Sequence, residues 1–128
     1  MILKSESDKR LIIKGQLNGK EAYILVDTGA TCGIFAKSSV KKYGLKVSST
    51  KFINLVGAGG SFRAYICETP IILANRPMYQ FAVADISSIV SSIKNETGIE
   101  IAGLISLPQM KAMNITIDTD DNYVKVGG

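Results

Sequence analysis

One aspartate lies in a segment that could support acid–base chemistry. Asp27, Thr28 and Gly29 follow an apolar run at residues 22–26, so a strand would deliver the carboxylate to a tight turn. A lone surface carboxylate is ionised and hydrated, whereas two adjacent carboxylates share one proton, so that one acts as general base and the other as general acid. The same three residues also fit an ordinary turn at a strand end. The segment is therefore half of a candidate two-aspartate site.

Other kinds of catalytic site lack the residues they need. The chain contains no histidine and two cysteines, Cys32 and Cys67. Without histidine, Ser-His and Cys-His nucleophilic catalysis are excluded, and two thiols are too few ligands for a structural zinc site. We therefore predict neither a metal nor a cofactor. One disulfide in an oxidising compartment and two small buried side chains both fit the cysteine content.

The length and composition fit one small globular domain. The chain has 128 residues, of which 46% are hydrophobic and 20% are charged, which suffices to bury one core. We predict a polar N-terminal segment over residues 1–10 and a single domain over residues 11–128. Twelve glycines and many short apolar runs favour a turn-rich β protein.

Targeting segments are not evident in this sequence. No apolar stretch approaches the ~20 residues that a membrane-spanning helix needs, so no membrane span is expected. Residues 1–10 are mostly polar and lack the apolar centre of a secretory signal. The localisation is left unassigned, and an extracytoplasmic location stays open if a signal has been removed.

Basic residues are concentrated in one stretch of a chain whose net charge is +4. Between Asp27 and Glu68 there is no acidic residue, but there are six basic ones: Lys37, Lys41, Lys42, Lys46, Lys51 and Arg63. A solvated basic face explains them, and a preference for acidic segments in a substrate or partner is the functional alternative. Aromatic residues do not interleave with these lysines as single-strand binding requires, so we predict no nucleic-acid partner.

The remaining patterns predict hairpins and short helices. Asn18 and Gly19 separate two apolar runs, residues 11–17 and 22–26, and readily form a hairpin turn. A second hairpin is predicted from residues 52–56 and 62–67 around a glycine-rich tip. The other predicted elements are a helix over residues 37–43 ended by Gly44, a hairpin of residues 71–74 and 78–83, a helix over 87–94, an apolar strand over 101–105, a helical turn over 108–113 and a last hairpin over 115–126.

The order of these elements resembles the retropepsin-like aspartic proteases, the single-domain relatives of pepsin that include retroviral enzymes and many bacterial proteins. Val26-Asp27-Thr28-Gly29-Ala30-Thr31 resembles the catalytic loop of that family. The tip Gly57-Ala58-Gly59-Gly60 lies where the family has its flap. Ile101-Ala102-Gly103-Leu104-Ile105 and Ile117-Asp118 resemble the late strands that cross behind the loop.

The resemblance implies a mostly β fold, namely a closed acid-protease-type barrel with a hairpin flap and one or two short helices. It implies an aspartic peptidase of the bacterial type that acts as a homodimer on peptide or protein substrates, because only one Asp-Thr-Gly is present. Asp27, Thr28 and Gly29 would be the catalytic residues. The substrate-binding residues would be Ala30, Thr31, Gly57, Ala58, Gly59 and Gly60.

Two features modify this expectation. Ala30 cannot donate a hydrogen bond to the carboxylate as a serine could, which predicts a dyad that stays half-protonated toward neutral pH. Ser106 follows Leu104 and Ile105 where the family usually has glycine, and Pro108 stands where aspartate is common. The alternative function is therefore a weakly active or inactive domain of the same fold that binds peptides or mediates dimerisation.

Overall fold

The computed structural model describes residues 1–57 and 59–127, and these contain twelve strands and three helices. The strands are β1 (Ile2–Lys4), β2 (Ile12–Leu17), β3 (Lys20–Val26), β4 (Gly33–Ala36), β5 (Val47–Gly57), β6 (Gly60–Cys67), β7 (Ile71–Leu73), β8 (Arg76–Met78), β9 (Phe81–Ala84), β10 (Ile101–Ile105), β11 (Thr116–Asp118) and β12 (Tyr123–Lys125). The helices are α1 (Lys37–Tyr43), α2 (Ser87–Thr97) and α3 (Leu107–Ala112).

The strands form two sheets, which confirms the prediction of a mostly β fold. The larger sheet has the order β5-β6-β9-β4-β10-β3-β2-β7-β8, and the smaller has the order β1-β12-β11. The prediction of a closed barrel is not confirmed. Within the part of the chain that the structure describes, β5 and β8 remain at opposite edges of the larger sheet, because each of them pairs with a single neighbour.

The centre of the larger sheet is built around β10. This strand pairs in parallel with β3 and antiparallel with β4, so it runs between the two strands that flank residues 27–32. All five of its residues are buried, as expected for a strand that has neighbours on both sides and apolar clusters on both faces. Gly103 is essential to this arrangement, since a Cβ atom there would overlap the Ile34 carbonyl oxygen and lie 2.9 Å from the Phe35 Cα.

The first hairpin and the first helix form where the sequence predicted them. Asn18 and Gly19, with φ of 50° and 77°, make the tight turn between β2 and β3. The Asn18 side chain donates to the carbonyl oxygens of Tyr43 and Gly44, both at 2.8 Å. Gly44 ends α1 with φ of 63°, the left-handed conformation in which glycine is favoured after a helix. The hairpin turn therefore caps the helix end.

The region from residue 71 to residue 97 differs from its prediction in detail. The predicted second strand over residues 78–83 is divided into β8 and β9, because Gln80 has a left-handed φ of 71°. Pro77 lies within β8 rather than in the turn. Helix α2 continues to Thr97 and ends at Gly98, and the Asp85 carboxylate precedes it and accepts a hydrogen bond from the Ser87 amide at 3.0 Å.

The two ends of the chain are paired with each other in the smaller sheet. β1 pairs antiparallel with β12, the Met1 amino group donates to the Val126 carbonyl oxygen at 3.2 Å, and the Val126 amide donates to Met1 at 2.9 Å. β1 was not predicted, because three residues within a polar segment carry too little periodicity to indicate a strand.

Two clusters of buried side chains form the core. The larger includes Phe35 and Phe81, whose rings stack with centroids 4.0 Å apart. The smaller includes Leu104 and Ile93, so it holds α2 against the central strand β10. Among the helices of the described residues, none is long and apolar enough to cross a membrane.

The packing around Gly103 predicts that Gly103→Ala lowers the free energy of unfolding by about 2 kcal/mol or more, because a backbone carbonyl cannot move away from the new methyl group. Urea unfolding measures the change. Gly59→Ala is the matched control, since a Cβ at residue 59 meets nothing within 4 Å, and we expect it to change stability by no more than about 0.5 kcal/mol. Equal stabilities of the two variants would contradict the proposed tight packing.

Candidate active site

Asp27 lies immediately after β3, where backbone hydrogen bonds fix its position. The Val26 amide donates to the Leu11 carbonyl oxygen at 2.9 Å, and the Asp27 amide donates to the Ile105 carbonyl oxygen at 3.1 Å. Asp27 is half-buried, whereas Thr28 and Gly29 are exposed. The buried end of β3 therefore holds the carboxylate at the rim of the core with its turn facing outward.

The segment from residue 27 to residue 32, here called the Asp27 loop, is closed by its own hydrogen bonds. The Gly29 amide donates to Asp27 Oδ1 at 3.0 Å, and the Ala30 amide donates to the Asp27 carbonyl oxygen at 3.1 Å. From the other side, the Leu107 amide donates to the Ala30 carbonyl oxygen at 3.3 Å. The loop is thus bonded to residues on both sides of Ser106, and the carboxylate is oriented by a backbone N–H.

Ser106 is accommodated in this arrangement as the cap of helix α3. Its hydroxyl accepts a hydrogen bond from the Gln109 amide, and the Gln109 side chain in turn accepts one from the Ser106 amide, which is a capping box. Pro108 lies in the first turn of the helix, where the missing N–H has no cost. The departures at Ser106 and Pro108 therefore begin a helix and leave the contacts of β10 with the Asp27 loop intact.

The predicted glycine-rich hairpin is formed by β5 and β6. Gly57 pairs with Gly60 at its end, Gly60 has φ of 105°, and Gly59 is exposed. Ala58, the other predicted tip residue, lies outside the described residues. Further down the hairpin, Ile53 is opposite Ala64 and Leu55 is opposite Phe62, so one face of the hairpin is apolar.

That apolar face covers a pocket of about 300 Å³ at the Thr31 end of the Asp27 loop. Its lining residues come from four segments and are Thr31, Cys32, Ile53, Ile66, Gln80, Ala82, Ser106, Pro108 and Gln109. Thr31 is the predicted site residue among them. The tip glycines do not line this pocket, whereas Ile53 and Ile66 of the same hairpin do.

Several pocket residues had no predicted role. Gln80 and Gln109 come next to the Asp27 loop only through tertiary folding, so their spacing along the chain carries no signal. One signal is visible in the sequence. Gln109 follows Ser106 by three residues, which is the serine-to-glutamine spacing of a capping box at the start of a helix. The helical turn predicted over residues 108–113 is α3, and this pattern could also have indicated that the helix is capped by Ser106.

The basic residues between positions 37 and 63 are all exposed, and some have acidic partners from elsewhere in the chain. Lys42 pairs with Glu100 at 2.8 Å and Lys46 pairs with Glu68 at 3.5 Å. The Arg63 guanidinium lies 4.6 Å from the Phe52 ring centroid. The charge asymmetry in the sequence is therefore partly neutralised in the fold.

Both cysteines are free thiols, and of the two, only Cys67 fits the interpretation as a small buried side chain. Cys67 is buried and donates to the Thr69 carbonyl oxygen at 3.5 Å. Cys32 is half-buried and lines the pocket beside the Asp27 loop. Burial raises the pKa of each thiol above its ordinary value.

With this geometry established, comparison with known proteins identifies the family. The family profile described as aspartyl protease matches residues 13–108. This is most of the chain, and the protein therefore belongs to the aspartyl protease family. A search of curated protein sequences gave no match.

Solved structures show that the fold is retropepsin-like. A retropepsin-like aspartic protease from Rickettsia conorii is similar with a TM-score of 0.63 and 16% identity, over 99% of this chain and 89% of that one. The retroviral protease-like domain of Ddi1 from Leishmania major is similar with a TM-score of 0.62 and 22% identity, over 91% of this chain and 89% of that one. EIAV protease, solved with the inhibitor HBY-793, is similar with a TM-score of 0.60 and 14% identity, over 85% of this chain and 92% of that one.

The buried environment of Cys32 predicts slow alkylation. Because its pKa is raised, the thiolate fraction at about pH 8 is smaller than that of free cysteine. We expect iodoacetamide to react with Cys32 more slowly than with free cysteine at that pH, and the rate to keep rising with pH beyond the point where free cysteine levels off. The Cys67→Ser variant isolates the Cys32 signal in mass spectrometry. A rate equal to that of free cysteine at every pH would contradict the burial of Cys32.

Proposed function

We propose that this protein is an aspartic endopeptidase that acts as a homodimer, with Asp27 of each protomer forming the catalytic dyad. The observation that carries the proposal is the position of Asp27. Its half-buried carboxylate follows the buried end of β3 and is oriented by the Gly29 amide, in a chain with an aspartyl protease profile. A carboxylate held in this way beside an exposed turn is suited to meet a second copy of itself.

The reaction proposed is hydrolysis of a peptide bond by water. One Asp27 carboxylate takes a proton from a water held between the two, while the protonated partner donates a hydrogen bond to the substrate carbonyl oxygen. The water oxygen forms a bond to the carbonyl carbon, and the C–N bond then breaks as the amine nitrogen receives the proton that the first Asp27 took from the water. The dyad returns to its half-protonated state, and no covalent enzyme intermediate forms.

A homodimer is required because one chain supplies one suitable aspartate. Asp118, which also precedes a threonine, lies in β11 of the smaller sheet, and its carboxylate accepts a hydrogen bond from the Asp121 amide at 2.8 Å. A twofold axis beside Asp27 would place two identical turns in contact. Thr28, exposed on that turn, would then bond across the interface, and Gly29 would leave space for the substrate backbone.

The chain termini limit how the two protomers can join. β12 has β1 on one side and β11 on the other within a single chain, so it cannot add a strand from a partner. Any additional pairing between protomers would use the outer edge of β1 or β11. The proposed dimer therefore does not use β12 as a strand added to the partner.

The β5–β6 hairpin is proposed as the flap that covers a bound peptide. Its apolar face closes the pocket beside Thr31, and its tip is rich in glycine. Ala30, Thr31 and the tip residues Gly57, Ala58, Gly59 and Gly60 would contact the substrate backbone. Closure of the hairpin would exclude water and strengthen the interaction of the dyad with the developing oxyanion.

The alternative is a peptide-binding or dimerising domain of the same fold without activity. Its support in the sequence was Ser106 and the run of basic residues. In the fold, Ser106 caps α3, and Lys42 and Lys46 have acidic partners. Neither feature now argues against catalysis.

The two functions differ in their response to Asp27→Asn. In a protease this change replaces both carboxylates by amides, which can neither take a proton from water nor share one. We therefore expect cleavage of an internally quenched apolar peptide to fall at least about a thousandfold, while the peptide still binds and sedimentation still shows a dimer. Asp118→Asn is the matched control and should cleave at the wild-type rate. If the wild type releases no peptide product at any pH, the protein is the binding domain instead.

Ala30 provides a test of the protonation state of the dyad. In the Ala30→Ser variant the added hydroxyl donates a hydrogen bond to the carboxylate and favours its ionised form. Because the ionised form is then reached at lower pH, the optimum for cleavage should move toward acid by about half a pH unit or more. Initial rates across the pH range measure the shift, with Ala30→Gly as a control that adds no hydroxyl. An optimum that stays in place would contradict the assigned role of residue 30.

A further inference from the structure

A buried glutamine connects the segments around the Asp27 loop. Gln109 is only 4% exposed, and both atoms of its side-chain amide are used. Gln109 Oε1 accepts hydrogen bonds from the Ser106 amide at 2.9 Å and from the Ser106 hydroxyl at 3.0 Å. Gln109 Nε2 donates to the carbonyl oxygens of Tyr79 at 2.8 Å and Gln80 at 3.1 Å.

These four bonds determine the orientation of the amide. Two donors meet the amide at one end and two carbonyl oxygens meet it at the other. An amide rotated by half a turn would therefore place its oxygen against the carbonyl oxygens and its NH2 group against the Ser106 donors. A carboxylate in the same place could accept from Ser106 but could not donate to the carbonyl groups. The site is therefore specific for a neutral amide with one acceptor and one two-hydrogen donor.

The carbonyl groups that Gln109 binds belong to a strained turn. Gln80 has a left-handed φ of 71°, a conformation that costs free energy in a residue other than glycine and persists where the surroundings hold it. This turn leads into β9, which pairs with β4 from Gly33 onward. Bonds from Gln109 are thus in place to hold the start of β9.

The other end of Gln109 acts on the backbone that supports Asp27. Ser106 lies between Ile105, whose carbonyl oxygen accepts from the Asp27 amide, and Leu107, whose amide donates to Ala30. Gly33 leaves the space for the glutamine amide, since a Cβ there would overlap Gln109 Oε1 and lie 2.5 Å from Nε2. Gln80, Ser106 and Gln109 also line the pocket that Thr31 lines.

We propose that Gln109 is a positioning residue for the active site. It holds the Tyr79–Gln80 turn and Ser106 in fixed register with the Asp27 loop, and so sets the width of the pocket that receives a substrate side chain. The part concerning the substrate rests on the proposed function. The positioning of the backbone does not, and it can be measured separately.

The isosteric variant Gln109→Glu tests the proposal, because its effect should depend on pH. When protonated at about pH 4, the new side chain can accept from Ser106 and donate to one carbonyl oxygen; when ionised at about pH 7, it repels both carbonyl oxygens. Gln109 also lines a second pocket, together with residues 77–80, Ala112 and Met113. Cys32 and Tyr79 are the titratable side chains that line these two pockets. Burial raises the pKa of Cys32, so this thiol stays neutral at both pH values. Gln16→Glu, at an exposed glutamine in β2, is the matched control.

The first measurement is amide hydrogen exchange by NMR on the full chain. At about pH 7 we expect the amides of Asp27 and Leu107 in Gln109→Glu to lose protection at least about tenfold relative to Gln16→Glu, and to recover it at about pH 4. Amides of helix α2, to which neither Gln109 nor Gln16 is hydrogen-bonded, should match in the two variants and exclude global unfolding. Equal protection at Asp27 and Leu107 in both variants at both pH values would overturn the proposal.

The second measurement is binding of a fluorescein-labelled hexapeptide with a central Leu-Phe pair, with Asp27→Asn in the background to prevent cleavage. We expect Gln109→Glu to bind at least about tenfold more weakly than Gln16→Glu at about pH 7 and equally at about pH 4. Equal affinities at both pH values would overturn the link between Gln109 and the pocket. If Gln16→Glu combined with Asp27→Asn also fails to bind the peptide, the link between Gln109 and the pocket is overturned. Hydrogen exchange then still decides whether Gln109 positions the Asp27 loop.

Discussion

The passage of β10 between β3 and β4 is the constraint on which the site depends. One strand occupies the gap between the two arms of the Asp27 loop and bonds to the Asp27 amide through the Ile105 carbonyl oxygen. The gap is narrow enough that Gly103 has no room for a methyl group. The strands on either side of the loop, β3 and β4, both pair with the fully buried strand β10. The core of the protein therefore holds the carboxylate, although its turn is exposed.

The polar contacts around Ser106 extend this support away from the loop. Leu107 bonds to Ala30, Ser106 starts α3, and Gln109 joins that helix to the turn before β9. A buried polar network stabilises a unique arrangement when every member is satisfied, and among the described residues no buried side-chain nitrogen or oxygen lacks a partner. Ser106, which stands where the family usually has glycine, is thus fully hydrogen-bonded.

The same geometry is the reason for proposing a site shared by two chains rather than one contained in a single chain. A single oriented, half-buried carboxylate beside an exposed turn has the position of a half-site, and the other carboxyl-bearing candidate, Asp118, is engaged in the smaller sheet. The termini already pair within one protomer, so the dimer that we propose is organised around the Asp27 turns. The fold is well suited to this role because β10 keeps the turn rigid before any partner arrives.

Local sequence determined the features that depend on backbone preferences of a few residues. The Asn18-Gly19 turn, the end of α1 at Gly44 and the placement of Asp27 after an apolar strand all follow from neighbouring residues, because turn geometry and strand pattern act over short distances. Tertiary structure decided the rest. The separation of β8 from β9 at Gln80, the pairing of β1 with β12, the open edges of the larger sheet and the burial of Gln109 depend on groups far apart in the chain. Spacing cannot reveal such contacts, because the hydrogen-bond partners of these residues are brought near only when the core packs.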